Sequence, residues 1–383
     1  EILQRLGCHV QVIDDVEEIS HFPALVINDD LFCTFYALKR FLKMAKRQKQ
    51  NVRAALRKSI LTEHAATTFQ GAKVTGESGD SYRAYQCYYL TSLDHNLSLA
   101  DQSVILPIPH RIIKFRLRAN QRFVQGGRYI LPVSLVYFLP VEHWACLSAA
   151  NMLGMFAENI RAAHSRLIQT LFLPLKMICR AGSLRPSSLA GKSYFAGRRC
   201  RIHPNAQIYN SVLGDRVCVG AFVTIRNSVI GDCVDIRAGA VVDACTLGDK
   251  TIVECNTVSR GCVSDEGAML AATFMQMSVF GRGAVQCPMT GIADFTGMGT
   301  VPVIHEGQRI RSGSKFLGGC LGDDAFIGPT IAVNCGRTLP KGYTIVCHPD
   351  YTLSDLDLIP KAMLRTDRGR KLKKDPAQLR KSA

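Results

Sequence analysis

Set out in lines of 17, residues 196–263 read AGRRCRIHPNAQIYNSV, LGDRVCVGAFVTIRNSV, IGDCVDIRAGAVVDACT and LGDKTIVECNTVSRGCV. Gly197, Gly214, Gly231 and Gly248 fall in one column, and the last three lines open on Leu or Ile followed by Gly-Asp. Within a line an aliphatic residue returns about every six positions: Leu213, Val219 and Ile225, then Ile230, Ile236 and Val242, then Leu247 and Val253. A short fixed period marks a solenoid, whose units bury their apolar edges only against their neighbours. About six residues to a side and three sides to a turn describe a triangular prism of short parallel strands. The residue two before most aliphatic positions is small or branched (Val217, Val223, Ser228, Ala240, Cys245, Thr251), as a narrow interior requires. Gly, Asp and Asn follow at the corners, where the backbone must bend sharply.

This pattern resembles the hexapeptide-repeat left-handed β-helix, and the left hand is implied by the resemblance. The phrase Ile202-His203-Pro204-Asn205-Ala206 is similar to the IHPxA opening of many such domains, and Gly336-Arg337-Thr338-Leu339-Pro340-Lys341-Gly342-Tyr343 to their G-x-x-[IL]-P-x-G close. Regularity stops after Val263. Residues 264–281, with Met269, Met275 and Met277, read as a fifth, irregular coil, and 282–315 as a loop or extra hairpin inserted in the prism. The rhythm returns at Leu321-Gly322-Asp323, with Ile327, Val333, Leu339 and Ile345 six apart. The β-helix is therefore expected over 196–348. The family usually assembles as homotrimers with ligands between subunits, so the resemblance implies a homotrimer.

A chain of 383 residues has room for two or three domains. The fold class expected is an α+β N-terminal region followed by a left-handed parallel β-helix. The expected units before the prism are an α/β-like region over 1–110, a hairpin and helical segment over 111–180, and a Ser-, Gly- and Ala-rich linker over 181–195. The first residue is Glu rather than Met, which leaves room for a truncated front. Fifteen Cys are spread through the chain with no CxxC pair; they read as reduced core residues of a cytoplasmic protein. No signal peptide is visible at the start, and no apolar run reaches the length of a spanning helix. The net charge of +16 is uneven, with nine Lys/Arg against two Asp in Lys361–Ala383. Such an excess suits either an anionic small molecule or a merely solvated tail over 349–383. No aromatics interleave with the tail, so a nucleic-acid partner has only charge behind it.

Residues 9–13 and 23–28 read as strands, and a helix is expected from Thr34, with Phe35, Leu38, Leu42 and Ala45 on one face. Asp29 and Asp30 lie between strand and helix, where an acidic pair either caps the helix or holds a metal. Residues 51–104, crowded with Tyr82, Tyr85, Tyr88 and Tyr89, resist assignment. Lys114, Arg116 and Arg118 alternate with Ile113, Phe115 and Leu117 ahead of a Gly126-Gly127 turn, the pattern of a hairpin with one basic face. That face suits a phosphate or is plainly exposed. From Trp144 the period is helical, with Phe156, Ile160, Ala163, Leu167 and Leu171 in a stripe that Pro174 kinks or ends. His143 and Asn151 on this element read as packing residues or as part of a site.

The resemblance implies three functional classes. Acyl transfer from coenzyme A or an acyl carrier protein needs a general base, normally His. His203 lies in the structural opening phrase, which leaves His305, with Glu306 as its partner, in the inserted segment. In sugar nucleotidyltransferases a Rossmann-like domain precedes the β-helix, as in N-acetylglucosamine-1-phosphate uridyltransferase and glucose-1-phosphate adenylyltransferase. Asp29 and Asp30 would then hold magnesium, yet the GxGxR opening of those enzymes is absent from residues 1–60. A γ-class carbonic anhydrase needs three His on adjacent coils and is set aside. A non-catalytic trimeric scaffold fits the missing motifs equally. The two-part layout, with Asp29-Asp30-Leu31-Phe32 and His143-Trp144, also resembles uncharacterised bacterial proteins related to the uridyltransferase. The leading expectation is a transferase acting on a phosphorylated or nucleotide-linked sugar, with Lys114, Arg116, Arg118 and Arg337 as anion contacts.

Overall fold

The computed structural model describes residues 2–76, 79–118, 124–165, 171–297 and 299–347; the basic tail lies outside them. The 17-residue repeat is the register of a parallel β-helix. Ile208, Ile225, Val242 and Ser259 are successive partners on one side, and Val219, Ile236, Val253 and Leu270 on another. Leu213, Ile230, Leu247 and Ser264 stack on the third. One of the resulting sheets runs through eight parallel strands. The sides differ in length: six residues separate Leu213, Val219 and Ile225, and five separate Ile225 from Ile230.

Each turn bends at three left-handed positions. Arg216, Cys233 and Lys250 form one corner, Phe222, Gly239 and Asn256 the second, and Asn210, Asn227, Ala244 and Gly261 the third, with φ from 42° to 73°. Non-glycine residues hold this backbone at a cost of about 1 kcal/mol each, offset by the coil-to-coil hydrogen bonds. The Gly-Asp phrase has a similar origin. A Cβ at Gly214 would collide with the Asp232 carboxylate and the Gly231 backbone of the next coil. Asp232 Oδ1 accepts the Asp215 N–H at 2.7 Å, and Asp249 Oδ1 the Asp232 N–H at 2.7 Å. Inside, the Ser228 hydroxyl accepts the Cys245 N–H at 3.1 Å and donates to the Arg226 carbonyl at 2.7 Å. A hydroxyl or thiol in this column satisfies a backbone donor that aliphatic neighbours could not. All the described cysteines are free thiols.

The N-terminal region is built on a mixed sheet. Its strands are β1 (Ala24–Ile27), β3 (Val52–Arg57), β4 (Ala72–Thr75), β5 (Ser81–Leu90) and β6 (Val104–Pro107). They run in the order β1-β5-β3-β6 with β4 on β5, and the single parallel pair is β3 with β6. Tyr85 of the central β5, in the stretch that resists assignment, is buried on Phe138. A single turn, α1 (Ile2–Arg5), precedes the sheet, and α2 (Phe35–Ala45) packs on it through Ala37, Leu38, Phe41 and Ala45. The strand expected at 9–13 is absent, because Val10 and Val12 alternate with polar residues but meet no partner strand and stay exposed.

Strand β2 (Leu31–Cys33) pairs with β9 (Phe138–Pro140), and β7 (Ile113–Arg118) with β8 (Arg128–Val133) in the expected hairpin. Then comes α3 (Trp144–Ser165). Its buried stripe is Ala145, Ala149, Leu153 and Ala157 rather than Phe156, Ile160 and Ala163, which are half-exposed; Leu167 of the expected stripe lies outside the described residues. Small residues let the helix approach closely, and a Cβ at Gly154 would strike the Phe32 ring at 2.7 Å. Pro174 opens a helix, α4 (Leu173–Ala181), which α5 (Pro186–Ala190) follows. Lys192–Ala196, in the stretch read as linker, is β10, which pairs in parallel with Gln207–Leu213 and starts the prism.

The prism continues through Val285–Gln286 and Gly291–Ile292, within the segment read as inserted. It then breaks open. Ile292 pairs with Val333 and Phe280 with Leu321, each 41 residues on, so one coil carries an excursion between Ile292 and Cys320. The excursion contains the hairpin Pro302–His305 and Gln308–Arg311, closed by Glu306 and Gly307 at φ 49° and 75°, a type I′ pattern. Its Val301, Val303 and Leu317 pack in one core with Leu61, Phe69 and Tyr137 of the N-terminal region and with the first turns of α3. The Ala66 N–H donates to Ser314 Oγ at 2.9 Å and Thr68 Oγ1 to the Arg311 carbonyl at 2.5 Å. The excursion is thus a strap over the N-terminal region. Helix α3 rests on the prism itself: Asn151 donates to the Ala244 carbonyl at 3.0 Å and accepts from Thr246 Oγ1 at 2.7 Å.

Ile236 is fully buried in the prism. Ile236→Ala is expected to cost about 2–5 kcal/mol of stability in urea unfolding followed by far-ultraviolet circular dichroism.

Candidate functional site

The residues of greatest chemical interest gather where the strap meets the head of α3. His143 immediately precedes the helix. Its Nδ1 accepts the Ala145 N–H at 3.2 Å, and its Nε2 therefore carries the proton donated to the Ile304 carbonyl at 3.1 Å. Both nitrogens are committed, one to capping the helix and one to clipping the strap. Burial lowers the pKa of this imidazole, the Ile304 carbonyl opposes that, and His305 adds to the lowering. The ring lies flat on Phe69, with centroids 5.0 Å apart and planes 1° apart.

His305 is different. Alternation along the hairpin places it on the face of Val303 and Ile310, turned toward the N-terminal region. Its ring stands edge-on to Phe69 at 5.2 Å and to His143 at 5.7 Å. It is half-exposed, and among the described residues its ring nitrogens have no hydrogen-bond partner. The indole Nε1 of Trp144, next to His143, is buried without a partner. Glu306 sits exposed in the hairpin turn and makes no hydrogen bond to His305.

A second pair, half-buried, lies behind the strap. The hydroxyl of Tyr129 and Nε2 of His64 are 2.8 Å apart. Burial lowers His64 to about 4 and raises Tyr129 to about 12, so both are neutral at physiological pH. The Tyr129 ring meets Phe316, which stacks on Phe295, both in the excursion. The excursion also holds Asp294, whose carboxyl burial pushes up. No simple spacing in the sequence joins His64 or Tyr129 to the excursion residues far along the chain.

The other candidates are distributed around this centre. Asp29 and Asp30 occupy the turn between β1 and β2, where the Asp30 carbonyl accepts the Val141 N–H at 2.7 Å. That places the turn beside the head of α3, since Val141 is two residues from His143. The pair does not cap the helix: Thr34 takes that position, and its hydroxyl donates to the Leu135 carbonyl at 2.7 Å. Lys114, Arg116 and Arg118 share one exposed face of the β7–β8 ribbon, and cross-strand register sets Arg128 directly opposite Arg118. Tyr129 lies on the other face, so the ribbon stands over the strap. Arg337 is half-exposed in the coil beneath the strap, beside Gly336, which fits closely against the Pro302 carbonyl. Among the described residues no group of three His, Cys, Asp or Glu is gathered for a metal.

No protein-family model matches the chain, and no curated protein matches it. No helix among the described residues is long and apolar enough to cross a membrane.

The His64 environment fixes a pH dependence. An unfolded His titrates near its ordinary value of about 6.5, so below it the unfolded state binds the proton that the folded state refuses down to about 4. Stability is complete above pH about 6.5 and falls as the pH drops toward 4, by about 2 kcal/mol at pH 5. Urea unfolding at pH 7 and pH 5 measures this; His64→Gln is expected to remove most of the difference between the two.

Proposed function

We propose that the protein is a hexapeptide-repeat transferase in which His305 is the general base for a hydroxyl or amine acceptor on a phosphorylated or nucleotide-linked sugar. The observation that carries the reading is the contrast between two neighbouring imidazoles. His143 has both nitrogens committed, whereas His305, on the hairpin tip, has both available beside an aromatic platform. An imidazole is a side chain suited to proton transfer near neutral pH.

In the acyl-transfer form the His305 imidazole takes the acceptor's proton as the acceptor oxygen or nitrogen attacks the thioester carbonyl carbon. The carbon–sulfur bond then breaks, and the departing thiolate of coenzyme A or acyl carrier protein takes the proton back from the imidazolium. The chain also carries a cationic ribbon: Arg118 and Arg128 face each other across the strands, an arrangement that like charge disfavours and a phosphate relieves.

Nucleotidyl transfer has less behind it. The N-terminal sheet is mixed, with one parallel pair, and lacks the run of parallel strands whose carboxyl ends form a nucleotide crevice. Among the described residues no hydrogen bond orients the Asp29 or Asp30 carboxylate, so the donor set is not that of a prepared magnesium site. As for assembly, a homotrimer rests on the resemblance of the prism to families that form one.

The test is a thermal-shift panel of acetyl coenzyme A, coenzyme A, nucleotide sugars and nucleoside triphosphates with magnesium. A ligand that binds only the folded state raises Tm as its concentration passes Kd. The expected result is a shift with the coenzyme A compounds, together with transfer to a sugar phosphate that falls by about two to four orders of magnitude in His305→Gln while the Tm shift persists. A shift confined to triphosphates with magnesium, or none with any class, overturns the reading.

A further inference from the structure

The end of the prism where β10 begins carries a surface that the proposed transfer does not use. From Leu171 to Gly214 the chain has seven Lys and Arg (Lys176, Arg180, Arg185, Lys192, Arg198, Arg199, Arg201) and no Asp or Glu. Two of the seven are structural. Arg180 lies over the Tyr194 ring at 4.0 Å and donates to the Tyr194 carbonyl at 2.9 Å, and Lys192 donates to the Pro204 and Ala206 carbonyls at 2.7 Å each. Arg198 reaches Asp215 at 3.3 Å, fully on the surface. Lys176, Arg185, Arg199 and Arg201 are exposed and make no ion pair among the described residues.

Helix α4 presents an apolar side outward. Its less exposed residues Leu173, Met177 and Arg180 recur at helical spacing, and the helix lies against β10, where Arg180 meets Tyr194. Outward stand Leu175, 59% exposed, and Ile178, continuous with Leu171 at 71% and Phe172 at 57% just before the helix. Leu184, 73% exposed, extends the patch beyond its end. A helix with no fully buried residue and four large apolar side chains on its solvent side is not accounted for by the fold of this chain. Exposed apolar side chains in a stretch whose charged residues are all Lys and Arg, with Asp215 beyond its end paired to Arg198, match the interface of an anionic bilayer. There the apolar groups enter the acyl boundary and the cations meet phosphate headgroups.

We propose that this end of the prism seats on an anionic lipid surface, with α4 lying in the interface and the first coil's arginines at headgroup level. The complementarity of charge selects a lipid over a second copy, since two such ends brought together would oppose cation to cation.

The experiment is co-sedimentation of the full chain with vesicles of phosphatidylcholine alone, or with about one-third phosphatidylserine. Binding is expected only to the anionic vesicles and is expected to weaken as salt rises. Phe172→Ser with Leu175→Ser removes exposed groups only, so Tm should hold while binding falls about tenfold or more. Arg199→Glu with Arg201→Glu should abolish the preference for phosphatidylserine. The proposal is overturned if the parent does not sediment with anionic vesicles, or if the Phe172/Leu175 variant binds as tightly as the parent, which would assign binding to cations elsewhere in the chain. It is also overturned if that variant instead dissolves a lipid-free dimer.

Discussion

The strap between Ile292 and Cys320 is the element on which the two halves of the molecule depend. A prism of constant cross-section offers a second domain only flat sides and tight corners. By opening one coil, the chain lifts Val301, Val303 and Leu317 out of the period and sets them against Phe69, Tyr137 and the first turns of α3. Burying a few aliphatic side chains there contributes several kcal/mol, and the hydrogen bonds at Ser314 and Arg311 fix the register of the contact. Asn151, between the Ala244 carbonyl and Thr246, adds a second attachment on the side of the prism. Together they hold His305 against Phe69 and His143.

Most of the prism was legible in the sequence because its physics is local. A residue in one coil meets its equivalent 17 positions later, so a column of letters is also a column of contacts. The Gly-Asp phrase marks a corner, and the small column marks the interior. The strap could be seen only as an absence of rhythm. Its bounds were obscured because the corners around Pro288 and Gly291 are built from the residues that usually signal a loop, although strands flank them.

The N-terminal region was harder to read for a physical reason. Its central strand β5 takes β1 and β4 on one side and β3 on the other, and of these only β4 is its neighbour in sequence. Buried tyrosines replace the alternation that a half-exposed strand would show. Helix α3 was found but rotated in the reading, because alanines chosen for close approach carry less weight in a hydrophobic pattern than Phe156 and Ile160. Of the site, His305 was identified by elimination among the histidines. The division of labour with His143 needed coordinates, since it rests on which ring nitrogen is already bonded.

The pairing across the excursion has a consequence for how such a molecule can change. Phe280 meets Leu321 and Gln286 meets Ile327 in the same parallel register that consecutive coils use, although the partners are 41 residues apart. The prism does not sense what is spliced into that corner so long as the two ends return together, and the cost of a longer loop grows only with the logarithm of its length. The strap can therefore be lengthened, shortened or recoded while the coils above and below keep their geometry. The molecule has one joint at which new chemistry can be tried without disturbing the column that carries it.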